Sequence, residues 1–174
     1  PFNVQGGSLT INGGTSDIKV GKYGLVNIPV GSDATVVLNG GVYTGNTDNG
    51  AFIKPRGEGK IALTLNNVNY TDSSTDGWVI SLADYGGTEI DIKIDGGVYS
   101  SAAGINIVYG EIKNATITAT GTEDWRYGQA IEVCGDEEVG GEVSIDKCII
   151  SSAIYAITAG HSSVANVKEC TVTS

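Results

Sequence analysis

One nine-residue pattern recurs along this chain, and the recurrence restricts the fold more than any single motif does. Residues 92–100 read IKIDGGVYS, residues 36–44 VVLNGGVYT, residues 63–71 LTLNNVNYT and residues 143–151 VSIDKCIIS. Each copy runs apolar, variable, apolar, then Asn or Asp, a turn residue and a small core residue. It closes with a variable position, an aliphatic or Tyr, and a hydroxyl. Marked at the second aliphatic, the copies fall at Ile11, Leu38, Leu65, Ile94, Ile112, Ile145 and Val167. The steps between them, 27, 27, 29, 18, 33 and 22 residues, are of the size expected for solenoid coils. The pattern keeps phase while the steps vary, so the core columns persist and the connecting loops change length.

Each copy reads as the first strand of a coil, with a second strand after it. The second is usually led by Gly, as in GAFI from Gly50, GWVISL from Gly77, GINIV from Gly104 and GQAIEV from Gly128. Residues 25–30 and 155–159 are its first and last versions. Apolar and variable residues alternate with a period of two, which marks strands, and no stretch sustains a helical period. A strand with one apolar face cannot bury that face alone. Coil stacked on coil at ~4.8 Å pairs every backbone group and piles like residues into columns. The expected columns are an aliphatic one through Leu38, Leu65, Ile94, Ile112, Ile145 and Val167, and an inward one of Tyr43, Tyr70 and Tyr99 continued by Ile117, Ile150 and Val172. An outward hydroxyl ladder would join Thr44, Thr71, Ser100, Thr118, Ser151 and Thr173.

Composition narrows the function classes. A length of 174 residues with 40% hydrophobic content is enough for one domain with a continuous core, so residues 1–174 are read as a single unit. The 26 Gly fall largely in doublets at strand ends, where tight turns are needed. A net charge of −10 repels phosphate backbones and anionic lipid, which argues against nucleic-acid partners and membrane docking. No apolar run reaches the length of a membrane span. The chain contains no Met, and both ends lie inside the repeat without an amphipathic cap. The expectation is a domain excised from a larger protein, or self-association through the solenoid ends. The acidic, Lys-poor composition suits an extracellular or cell-surface location.

The VSIDKCIIS-type segments and the GINIV-type strands after them resemble the right-handed parallel β-helix family, the pectate-lyase-like solenoids, over residues 9–173. The resemblance implies an all-β fold, a single-stranded right-handed parallel β-helix of about seven coils. The family it points to includes polysaccharide lyases, hydrolases, adhesins and phage tail proteins, so fold alone does not name a function.

Chemistry would sit in the loops. TDNG at 47–50 and TDG at 75–77 occupy equivalent places, so stacking would bring Asp48 near Asp76. Such a pair suits Ca²⁺ coordination or acid–base work. Asn46-Thr47-Asp48 also resembles the NTD motif of polygalacturonase-type hydrolases. That likeness implies a further Asp pair where this chain has Ser100-Ser101-Ala102-Ala103. It also implies GHG before a strand, whereas Gly160-His161-Ser162 follows one, and the RIK-type clamp has no counterpart. TDG also reads as turn chemistry, with Asp bonding its own backbone.

The long loop ATGTEDWRYGQ gathers Glu123, Asp124, Trp125, Arg126 and Tyr127, aromatics beside charges, as a sugar-binding surface requires. Its alternative is a loop folded over the solenoid flank. Asp136, Glu137 and Glu138 form the densest acidic turn and are candidate Ca²⁺ ligands, although they lack the alternation of a calcium loop. Trp78 reads as packing and His161 as a solvated turn residue. Three Cys without a CxxC pair and a lone His argue against zinc. Cys148 and Cys170 occupy the same inward slot in successive repeats, as stacked core thiols or as a disulfide. These features favour a non-catalytic adhesive or carbohydrate-binding module of a bacterial surface or secreted protein. The alternatives are a polysaccharide lyase or glycoside hydrolase using Asp48 and Asp76, and a purely structural fibre or tail segment.

Overall fold

The computed structural model describes residues 2–19, 24–47, 50–82, 89–122, 126–135 and 140–174. Among them there is no helix, and the chain winds through three parallel sheets of seven strands each. Each coil contributes one strand to each sheet in turn. The first sheet runs from Phe2–Asn3 through Val26–Ile28, Ala51–Pro55, Trp78–Ile80, Ala103–Ile107 and Gln129–Val133 to Tyr155–Ala159. The second runs from Gly7–Asn12 through Ala34–Asn39, Lys60–Asn66, Glu89–Asp95, Tyr109–Lys113 and Glu142–Asp146 to Val164–Lys168. The third runs from Thr15–Lys19 through Val42–Asn46, Asn69–Asp72, Val98–Ser101, Thr116–Ala119 and Ile149–Ser152 to Thr171–Thr173. This is a right-handed parallel β-helix of seven coils, the hand that twisted parallel strands favour in their crossovers.

The expected columns form in register. Leu38 pairs with Leu65, Leu65 with Ile94, Ile94 with Ile112, Ile112 with Ile145 and Ile145 with Val167. Tyr43, Tyr70, Tyr99, Ile117, Ile150 and Val172 stack in the third sheet, and the Thr/Ser ladder stands outward beside them. From the first sheet, Phe52 joins the tyrosines: its ring stacks on Tyr70 at 4.3 Å and tilts against Tyr43 at 5.2 Å. Apart from Val167 and Val172, which stay 46% exposed, burial of these inward side chains at roughly 1.5–3 kcal/mol each is the main force holding the coils together.

One expectation needs correction. The nine-residue repeat is two strands, not one, so the coil has three sides. The break falls on the residue after Asn39, Asn66, Asp95 or Asp146. That slot takes a left-handed backbone in every coil: Gly13, Gly40, Asn67, Gly96, Asn114, Lys147 and Glu169 have φ between 51° and 73°. Gly and Asn adopt this conformation readily, whereas Lys147 and Glu169 hold it at a cost of about 1 kcal/mol each. The next slot differs in room from coil to coil: it holds the buried Val68, Ala115 and Cys148 in three coils and glycine in three others. At Gly97 (φ 94°) a Cβ would lie 2.1 Å from the Val68 carbonyl oxygen, so only Gly fits.

Candidate functional site

The outward face of the second sheet carries the most varied chemistry. Thr35, Ala62, Asp91 and Tyr109 stand in one outward column, paired rung to rung. Ala62 is short between longer neighbours, and the face sinks there into an open trough of about 340 Å³. Its lining joins the outward Thr35, Lys60, Glu89, Asp91 and Tyr109 to the core residues Ala34, Ile61 and Ile90, and so is apolar as well as charged. Lys60 and Glu89 pair at 3.1 Å, and Lys93 reaches Asp91 at 3.2 Å. Both pairs are exposed, so their value lies in placing charge rather than in stability. The Tyr109 hydroxyl donates to the Gly140 carbonyl at 3.2 Å, which fixes the ring at the trough wall. Further along this face the Lys113 ammonium lies 3.5 Å from both Glu111 and Asp95. Those carboxylates, Glu111 foremost, raise its pKa.

A ladder of amides borders the same face at the bend. Asn39 donates to Asn12 at 2.9 Å, Asn66 to Asn39 at 2.8 Å, and Asn114 to Asp95 at 2.8 Å. These bonds satisfy side chains whose backbone must turn, so the ladder is read as structural.

A buried carboxylate lies at the far end of the third sheet. Asp72 accepts hydroxyl bonds from Thr47 and Ser74 at 2.6 Å each, an amide bond from Ser74 at 2.8 Å, and one from the Tyr70 phenol. The Thr47 amide points at both of its oxygens from 3.3 and 3.4 Å. Burial alone would raise the Asp72 pKa. The bonds from Ser74, Thr47 and Tyr70 outweigh it and hold the carboxyl below its ordinary value. Burial, then the Asp72 charge, push the Tyr70 phenol well above its usual range. Donors surround the carboxylate on all sides, so this is a lock between coils rather than an acid or base free to act.

A turn role of the kind read for the Asp of TDG is played by Asp72, four residues earlier, which accepts from the Ser74 amide and hydroxyl. A sequence signal existed in Asp72-Ser73-Ser74, an Asx-turn spacing, but the partner Thr47 comes from another coil. Ala51 pairs with Trp78, so Gly77 stacks on Gly50 as the TDNG/TDG alignment requires. Asp76 is half-buried, and its Oδ1 is buried with no hydrogen-bond partner among the described residues. Asp48 lies outside the described residues.

Of the long-loop candidates, Glu123, Asp124 and Trp125 also lie outside the described residues. Arg126 is exposed with its guanidinium 5.8 Å from the centre of the Tyr127 ring, and Tyr127 meets Trp78 edge-on at 6.2 Å. The described part of this loop thus packs on the flank, with Trp78 as its partner. Asp136, Glu137 and Glu138 are outside the described residues too, and among the described residues no three His, Cys, Asp or Glu converge as metal ligands. His161 is exposed in a turn with φ 49°. Sequence reasoning missed the trough because it arises from a short residue in an outward column, a position that core patterning leaves unread.

No protein-family model, curated protein or solved structure matches this chain.

Proposed function

We propose that the chain is a non-catalytic, carbohydrate-binding or adhesive module of a bacterial surface or secreted protein, of the pectate-lyase-like class of β-helices. The observation that carries this reading is the trough beside Tyr109. An aromatic ring, a hydroxyl, two carboxylates and an ammonium group line an open volume at the lower end of small-ligand sites. Sugars use this combination: pyranose CH groups pack on a ring while their hydroxyls bond charged neighbours. The net charge of −10 favours neutral glycans over phosphate-rich partners.

Calorimetric titration with neutral and acidic oligosaccharides, after a glycan array, tests the proposal. Binding should weaken at least about tenfold in Tyr109→Ala, a loss of about 1.4 kcal/mol. Loss in Trp125→Ala with Tyr109→Ala unaffected would move the site to the 119–128 loop. No binding by the native chain would leave the fibre-segment reading in its place.

The unpaired Asp76 oxygen favours one second reading, a lyase or hydrolase using Asp48 and Asp76, with Ca²⁺ as an aid. Release of reducing ends or of ultraviolet-absorbing products from polysaccharide, abolished in the Asp48→Ala/Asp76→Ala double variant, would establish it over the first.

A further inference from the structure

The slot after the left-handed bend holds Gly14, Gly41, Val68, Gly97 and Ala115 in the first five coils and a cysteine in each of the last two. Asp146 pairs with Lys168 and Ile149 with Thr171, so Cys148 and Cys170 face each other in register between those pairs. The bends that present them are alike, with φ 53° at Lys147 and 51° at Glu169. Adjacent parallel strands set paired Cα atoms about 4.8 Å apart, within the roughly 4.4–6.8 Å that a disulfide spans. The Cys148 amide donates to Cys170 Sγ at 3.3 Å, and both thiols are free.

We propose that Cys148 and Cys170 are an oxidisable dithiol that takes a disulfide-class oxidant, such as oxidised glutathione, and closes into a covalent clasp between the sixth and seventh coils. Cys170 reacts first, since it is half-buried whereas Cys148 is 1% exposed. Its thiolate attacks one sulfur of the oxidant, the S–S bond breaks, and one glutathione thiolate leaves. Cys148 then loses its proton to solvent and attacks Cys170 Sγ, displacing the second glutathione thiolate. Two protein thiols are oxidised, one disulfide is reduced to two thiols, and the two protons released go to those thiols.

Cys134, the residue after Gln129–Val133, is also free and is buried. Burial, with the Glu132 charge next, pushes its thiol up to about 12, so it remains protonated and inert. The clasp would act on a coil whose inward residues are not fully packed in the 174-residue chain: Val167 and Val172 are each 46% exposed.

The test incubates the 174-residue chain with oxidised glutathione under native conditions. Titratable thiols in denaturant should fall from three to one. Trypsin cuts after Lys147 and Lys168, so the clasp appears as peptide 148–168 joined to peptide 169–174 within one molecule. Cys134→Ser should retain the link and Cys170→Ser should abolish it. Amide exchange over 164–173 should slow at least about tenfold on oxidation and recover with dithiothreitol. Three thiols remaining, a stable glutathione adduct without closure, a link through Cys134, or dimers joined between chains would each overturn the proposal. A clasp that leaves exchange over 164–173 unchanged would overturn its stabilising role.

Discussion

The second and third sheets share one register and one strand number, yet they turn different chemistries to solvent. Outward positions of the second sheet include Asp91, Lys93, Asp95, Glu111, Lys113, Glu142, Asp146 and Lys168, with ion pairs running along and across strands. Apart from the first strand, Thr15–Lys19, where Asp17 accepts from the Thr44 hydroxyl at 3.1 Å, the outward positions of the third sheet, from Val42–Asn46 to Thr171–Thr173, carry no charge. They are Thr, Ser, Asn, Val and Ile, with Val42, Val98 and Ile149 about half exposed. Neighbouring rungs there meet through hydroxyls, as in the Thr118–Ser151 contact at 3.1 Å. Both faces rest on inward columns that meet in one core. The comparison teaches that inward residues and bend residues set the geometry, while outward residues are free to differ and so hold whatever specificity the protein has.

That separation can be broken at its inward side first. Asp72→Asn sets an amide among donors that had converged on a carboxylate, and stability should fall by about 3–5 kcal/mol in urea unfolding. Because the folded pKa of Asp72 lies below its ordinary value, its contribution is present above the unfolded pKa and is lost as pH falls through the folded one. The native chain should therefore destabilise on acidification below about pH 4, and the variant should show a flatter acid limb over that range. Gly97→Ala comes next, with about 2 kcal/mol lost, because the new Cβ meets the Val68 carbonyl. An unchanged Tm in either variant would contradict the claim that these positions fix the coil.

Smaller effects sharpen the comparison. Lys147→Gly relieves a left-handed residue and should stabilise by up to about 1 kcal/mol, seen as a rise in Tm of a few degrees. On the outward faces, Ser100→Lys in the third sheet should change stability by no more than about 0.5 kcal/mol. Lys113→Ala in the second should give a small loss that disappears in high salt, since its ion pairs are exposed. A large loss from Ser100→Lys would show that the uncharged face is part of the fold's support.

Much of the fold was legible because a parallel solenoid writes its register directly into the sequence. Leu38, Leu65 and Ile94 are equivalent in pattern and adjacent in space for the same reason. Turn chemistry was legible where Asn-Gly-Gly or Asp-Gly-Gly announced it. It was hidden at Lys147 and Glu169, whose residue types carry no such signal and whose left-handed backbone follows the register of the coil before. Asp72 was unread because its decisive partner, Thr47, lies 25 residues away in the preceding coil. The trough was unread because it depends on Ala62 being shorter than the outward residues above and below it. Local pattern finds what repeats; a site is built from what does not.

The most direct test of the stacked register is an NMR map of cross-strand contacts between backbone protons in the isotope-labelled chain. Strong effects should link Leu38 with Leu65, Leu65 with Ile94, Thr71 with Ser100, and Cys148 with Cys170, all in a single register. Contacts offset by one residue, or none between these pairs, would contradict it.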